Sequence, residues 1–273
     1  MRNILMFMVE KITSSLNTRI KNLIALQKSR ERRLQNRIII EGYREINLAI
    51  AAGFVVKELY SCRPLDLENK LSLILPHIEQ KVVFEISAEV FEKLAYRESS
   101  DGLIALAEPR FLKLDELKMS ACPLVLVLEA VEKPGNLGAV LRTADAAKVD
   151  AVIICDPLSD LYNPNTIRSS IGCIFTNQVV SCNSSEAIAW LREMNIPTYA
   201  AELTATDFYH ETDLSGPIAL IMGTEATGLS RLWLDGAEHR IKIPMLGRID
   251  SLNVSISAAV LVFEAMRQRG FRK

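Results

Sequence analysis

The chain has 273 residues, of which 49% are hydrophobic and 24% charged, with a formal net charge of −1. That length exceeds what one ordinary domain needs, and the balance belongs to a globular chain with a sizeable core rather than to a disordered one. No apolar run approaches the roughly 18 residues of a membrane span, and the opening apolar stretch, residues 4–9, is short for a secretory leader and lacks a small-residue cleavage site, so a cytoplasmic protein is expected.

The chain opens with a helical period over residues 14–35, where Leu16, Ile20, Leu23, Ile24 and Leu34 alternate with charge. Between Lys11 and Ile50 nine basic side chains face three acidic ones, in a protein whose total charge is near zero. Lys28, Arg30, Arg32, Arg33, Arg37 and Arg44 form the densest part of that stripe. Clustered charge is what phosphate binding requires, and a solvated helix face explains the same stripe equally well.

A β-branched strand follows at 38–40, then a helix over 46–52, a strand at 55–60, a helix over 67–78, a strand at 82–86, a helix over 88–94 and a strand at 103–107. This alternation defines a small α/β domain over residues 1–109. Residues 110–122 read as a linker. A second α/β domain, 123–273, begins with the fully apolar strand 124–128, the kind found in parallel sheets covered on both faces. Further strands are expected at 151–154, 178–181, 198–201, 218–222 and 240–243. Nine of the twelve glycines lie after residue 130, mostly in loops that follow strands. In open α/β sheets the ligand crevice lies at the carboxyl ends of the strands.

The five cysteines are scattered without a C-x-x-C pair and the three histidines stand far apart, so neither a disulfide framework nor a metal site is expected. Three loops draw attention instead. The first, Lys133-Pro-Gly-Asn136-Leu-Gly138, enters a helix that carries Arg142 six residues beyond Asn136. It contains neither a dinucleotide fingerprint nor a P-loop. A turn Asn with a surface Arg paired to Asp145 explains it as well. The second, Gly223-Thr-Glu225-Ala-Thr-Gly228-Leu229-Ser230, follows an apolar strand, and Ser230 is suited to cap a helix. The third runs from Ile243-Pro-Met245 to Ser251-Leu252-Asn253-Val-Ser255 and enters a helix whose first turns, 254–263, contain only two polar residues. A helix apolar on nearly all sides asks to be buried on nearly all sides.

In this order the three loops closely resemble the SpoU family of RNA ribose 2′-O-methyltransferases, within the wider SPOUT superfamily. The first motif extends to Leu141-Arg142-Thr143-Ala144, and the segment from Asn163 through Arg168 to Gly172 also matches the family pattern. The resemblance covers roughly residues 123–268, with the third motif the most specific. The first domain, with Ile40-Glu41-Gly42-Tyr43-Arg44-Glu45, is similar to the ribosomal-protein-L30-like substrate domain of longer members. Ala226 stands where the family usually has Gly, Lys148 replaces a usual Gly, and Glu132-Lys133 replaces a common acidic-Pro start.

The resemblance implies an α/β fold: a C-terminal parallel sheet with a deep trefoil knot, plus the small N-terminal domain. It also implies a homodimer packed through the knot and S-adenosylmethionine as cofactor, without a metal. Gly223, Leu229, Ile243, Met245 and Leu252 match the positions that line the cofactor. Arg142, Asn136, Glu225, Ser251 and Asn253 match the positions that carry the reaction, and Lys28, Arg30, Arg32, Arg33, Arg37, Arg44 and Arg168 are the candidate RNA contacts. Ribosomal RNA is favoured as substrate over transfer RNA. The alternatives are a non-catalytic RNA-binding protein that keeps the fold, or methylation of a base atom by a SPOUT relative.

Overall fold

The computed structural model describes residues 10–78, 82–96, 100–224 and 227–271. The chain forms two compact units: residues up to Arg110 together with Tyr162–Thr176, and Phe111–Leu161 together with Asn177–Lys273.

The first unit contains β1 (Glu10–Ile12), α1 (Thr18–Ala25), α2 (Ser29–Gln35), β2 (Ile38–Glu41), α3 (Tyr43–Ala51), β3 (Val56–Ser61), α4 (Lys70–Ile74), β4 (Val83–Ile86), α5 (Ala88–Leu94) and β5 (Leu103–Ala107). Its sheet has the order β1-β4-β3-β5-β2, parallel on the β1 side and antiparallel on the β2 side. Ile12, Tyr60, Phe84, Ile86 and Ile104 point to one face, where Ile20 and Leu23 of α1 and Phe91 of α5 cover them. The single helix expected over 14–35 is two. Residue Arg32 explains the break, because it is only 3% exposed and its Nη1 donates to the carbonyls of Leu26 and Gln27 at 2.7 and 2.8 Å. These are end-of-helix carbonyls without an intrahelical partner, and α2 turns back so that its own arginine satisfies them.

The second unit begins with β6 (Leu124–Glu129), α6 (Pro134–Ala146) and β7 (Ala151–Cys155). The chain then contributes α7 (Pro164–Ser169) and α8 (Cys173–Thr176) to the first unit, where α7 lies by β2 and α8 by α3. It returns with β8 (Val179–Cys182), α9 (Ser184–Glu193), β9 (Thr198–Ala201), β10 (Asp207–Phe208), β11 (Ile218–Met222), α10 (Arg231–Gly236), β12 (His239–Lys242) and α11 (Val254–Gln268). The sheet is parallel throughout, in the order β10-β12-β9-β11-β6-β7-β8. Strands β6, β7 and β11 are buried along their whole length, as a sheet covered on both faces demands. Trp233 and Leu191 pack with Val125, Val127, Ile153 and Ile221 on one face, and α6 and α11 pack together.

These compact units depart from the continuous division 1–109, 110–122, 123–273. Residues 162–176 join the first unit, since the Tyr162 ring lies 6.0 Å from that of Phe54 and the Phe175 ring 4.9 Å from it. The expected linker is ordered on the second unit: Leu112 bridges Val180, Lys118 and Gln178 exchange two hydrogen bonds, and Leu114, Leu117 and Met119 pack on the core. Lys148, where the family usually has Gly, sits just past the end of α6 with φ of 53°. The amide of Lys148 bonds to Asp145 and that of Val149 to Ala144, a left-handed helix stop that favours Gly. The departure is thus a matter of helix termination.

Candidate active site

Three strand ends of the second unit build the site. Helix α6 starts with Pro134 at its first position, where a missing N–H costs nothing. This places Asn136 in the first turn. Helix α11 is capped by Asn253, whose Oδ1 accepts from the Ser255 amide at 3.0 Å and from Ser255 Oγ at 2.6 Å. With the oxygen fixed by the cap, Nδ2 of Asn253 is aimed at Oδ1 of Asn136, 3.2 Å away and 117 residues distant in sequence. The first and third loops therefore meet through their two asparagines.

The second loop closes on itself. Thr224 and Gly228 exchange backbone hydrogen bonds at 3.1 Å in each direction, and the Thr224 and Thr227 hydroxyls lie 2.8 Å apart. A Cβ on Gly223 would stand 2.2 Å from the Gly228 carbonyl oxygen, closer than real Cβ contacts come. Glycine is thus required here by the loop's own backbone. The far end of the loop is held by Glu129, a buried carboxylate at the end of β6, which accepts the Ser230 amide at 2.7 Å. Ser230 caps α10 by position without a side-chain cap bond.

A cleft of about 420 Å³ lies between the second and third loops and the end of β9, inside the range of roughly 300–1,000 Å³ typical of small-molecule sites. Gly223, Leu229, Ile243, Met245 and Leu252 all line it, as does Ser251. Asn253 lies between two lining residues, Leu252 and Val254. Arg142 is exposed on α6, one and a half turns beyond Asn136, and is not part of the cleft wall. Glu225 lies outside the described residues. Glu202, directly after β9, also lines the cleft, as does Leu234 of α10. The sequence reading missed Glu202, although a carboxylate one residue past an apolar parallel strand is where the strand-end rule looks. Glu129 carries the same signal at the end of β6.

In the first unit, Lys28, Arg30, Arg33 and Arg44 are exposed. Arg32 is a correction to the expected cluster, because its guanidinium is turned inward onto α1 and cannot reach a phosphate. Arg37 is half-buried and pairs with Glu108 at 3.3 Å. Arg168, exposed on α7, borders a small notch with Gln27, Glu41 and Tyr96. No group of three or more His, Cys, Asp or Glu side chains is placed to hold a metal among the described residues. No helix among them is long and apolar enough to cross a membrane.

Residues 123–263 match the model of the SpoU rRNA Methylase family, and residues 17–105 that of the MRM3-like substrate binding domain. The chain is 30% identical to the 23S rRNA (guanosine(2553)-2′-O)-methyltransferase RlmP of Bacillus subtilis, over 93% of this chain and 98% of that one. It is 40% identical to the 23S rRNA (guanosine-2′-O-)-methyltransferase RlmB of Pectobacterium atrosepticum, over 74% and 86%. Among solved structures it is similar to the AdoMet-bound rRNA methyltransferase from Sinorhizobium meliloti, with a TM-score of 0.86, 28% identity, and 95% and 98% of the two chains covered.

Proposed function

Because the chain belongs to the SpoU rRNA methylase family, we propose that it methylates a ribose 2′-hydroxyl of 23S ribosomal RNA, with S-adenosylmethionine as the methyl donor. The observation that carries this reading is that the second and third motif loops line one cleft and the first loop is joined to the third through the contact between Asn136 and Asn253. The cleft fits that donor. Its Leu229, Ile243, Met245 and Leu252 walls suit an adenine ring and a methionine chain, and the strand-end backbone beside Gly223 offers polar edges.

When bound, the cofactor supplies a methyl group already activated as a sulfonium. The protein must then align the 2′-oxygen with that methyl and manage the hydroxyl proton. Asn136, fixed through Asn253 and the α11 cap, holds one side of that geometry, and Glu225 and Ser251 complete it in this reading. A guanidinium remains protonated at any ordinary pH and is a poor base. Arg142 therefore acts by stabilising the developing 2′-oxyanion and anchoring a neighbouring phosphate.

The first unit captures RNA through Lys28, Arg30, Arg33 and Arg44, whose exposed charge is available to phosphates. The functional assembly is a homodimer of the knotted C-terminal fold. Support comes from α11, where Ile256 and Phe263 are 52% and 42% exposed on a helix whose Val254, Ala258, Leu261, Val262 and Ala265 are buried, and from Leu246 and Ile249, exposed in the loop that precedes it. An apolar face of this kind calls for a second protein surface. The reading places the protein in the cytoplasm, with its RNA.

Mapping of 2′-O-methyl positions in total RNA from cells with and without this protein tests the reading. One 23S position is expected to lose its methyl group and to regain it with purified protein and S-adenosylmethionine. Arg142→Lys is expected to bind cofactor normally and to transfer methyl about 10²–10³-fold more slowly, the usual cost of one preorganised oxyanion donor. An unchanged methylation map overturns the function, and near-normal single-turnover transfer by Arg142→Lys overturns the role given to the planar guanidinium.

A further inference from the structure

We infer that Glu129 is a positioning residue for the cofactor site, holding the entry end of α10 so that Leu229 and Leu234 stand as one wall of the cleft; this rests on the cofactor reading above. Strand β6 turns Val125 and Val127 toward Trp233 of α10 and the core around it. Alternation puts Glu129, two residues on, on that same face. A third apolar residue would complete the pattern, and a carboxylate only 6% exposed stands there instead. Burying a carboxylate is costly unless it is hydrogen-bonded. The bond it makes is to the Ser230 amide, at 2.7 Å.

That amide lies at the junction that sets the wall. Leu229 precedes it and lines the cleft, and Leu234, one turn into α10, lines it too. Helix α10 has only six residues, too few to hold its own start, and Ser230 at its N-cap makes no side-chain cap bond. A second tie fixes the helix further along, where Trp233 Nε1 donates to Ser184 Oγ at 2.9 Å and Ser184 Oγ donates to Asp156. The bond that fixes the end next to Leu229 is the one from Ser230 to Glu129.

The place of Glu129 in the sheet makes it a link between motifs. Strand β6 leads into the first loop, and its neighbour β11 leads into the second. Asn136 of the first loop meets Asn253 of the third. Glu129 ties the strand of the first loop to the end of the second, 101 residues on. These two side-chain bridges hold the three loops in one arrangement before a ligand arrives, and such preorganisation lowers the cost of binding. Without the Glu129 bond, restoring the wall draws on the free energy of cofactor binding, so affinity falls by up to the worth of that bond. Glu129 itself does not line the cleft, so it acts through Leu229 and Leu234 rather than by touching the ligand.

Variants at both ends of the bond test this. In calorimetry Glu129→Ala is expected to bind S-adenosylmethionine about 10- to 100-fold more weakly, the range for a hydrogen bond to a charged group. Glu129→Gln keeps an oxygen at the same reach and should recover most of that loss. Ser230 has φ of −66°, which proline adopts, so Ser230→Pro removes the donor without straining that residue and should lose at least as much. In the double variant the losses should overlap rather than multiply. With 23S RNA from cells lacking the protein, Glu129→Ala should raise the KM for S-adenosylmethionine and leave kcat near wild type. Without ligand, amide exchange over residues 229–236 should quicken in Glu129→Ala and that over β7 should not. Unchanged affinity with only a lower denaturant midpoint would overturn the inference. So would multiplying losses, a fall in kcat at unchanged KM, or a Glu129→Gln as weak as Glu129→Ala. If Glu129→Ala folds poorly, Glu129→Gln and Ser230→Pro carry the same comparison, near-normal affinity in the first and loss in the second. A wild-type chain that binds no S-adenosylmethionine overturns the cofactor reading, and this inference with it.

Discussion

Replacing Arg32 and Arg33 one at a time separates a structural arginine from an RNA-binding one. Arg32 is 3% exposed and gives two charge-assisted hydrogen bonds to the end of α1, whereas Arg33 beside it is exposed. A hydrogen bond to a charged group contributes about 1.5–3 kcal/mol. Water reaching the vacated carbonyls recovers part of two such bonds, so Arg32→Ala should cost about 3 kcal/mol of local stability. Amide exchange over α1 and α2, read by mass spectrometry on the full chain, should accelerate by about two orders of magnitude, since each 1.4 kcal/mol is tenfold. Arg33→Ala should leave that exchange unchanged. Its effect should fall on RNA, where log affinity against log salt becomes shallower by about 0.7–0.9, one phosphate contact. Unchanged exchange in Arg32→Ala together with a shallower salt slope would refute the assignment and return Arg32 to the RNA surface.

Gly223→Ala should weaken S-adenosylmethionine binding at least tenfold, since the new methyl meets the Gly228 carbonyl and must break the Thr224–Gly228 pair, two bonds of about 1 kcal/mol each; unchanged calorimetric affinity would show that the loop yields freely. Bonds from Arg267 and Gln268 hold the Glu264 carboxyl down to about 2 from an ordinary 4.5. A depressed folded value stabilises the folded state above the unfolded value and loses that effect as pH falls. The chain should therefore lose stability between about pH 4.5 and 2, and Glu264→Gln should flatten denaturant midpoints across that window.

Local signals in the sequence were enough to read most of the second unit. Strands 124–128, 151–154 and 218–222 are apolar at every position, and a strand of that kind has few alternatives to the middle of a covered parallel sheet. The loops after such strands must lie at the carboxyl edge; within those loops the resemblance to the SpoU family singled out Gly223, Leu229, Ile243, Met245, Leu252 and Ser251, and all six line one cleft. Other features were not local. Two asparagines 117 residues apart meet only once the sheet has formed. Gly223 reads as room for a ligand until the loop folds back and Gly228 occupies that room. Residues 162–176 lie between two strands of one unit and pack with the other, and no pattern within the segment says which. Arg32 and Arg33 are the plainest case. They are adjacent and chemically identical, and the sequence offers no means of separating them. Which one turns inward depends on where α2 lands against the end of α1, and on which guanidinium then reaches two carbonyls that water no longer serves.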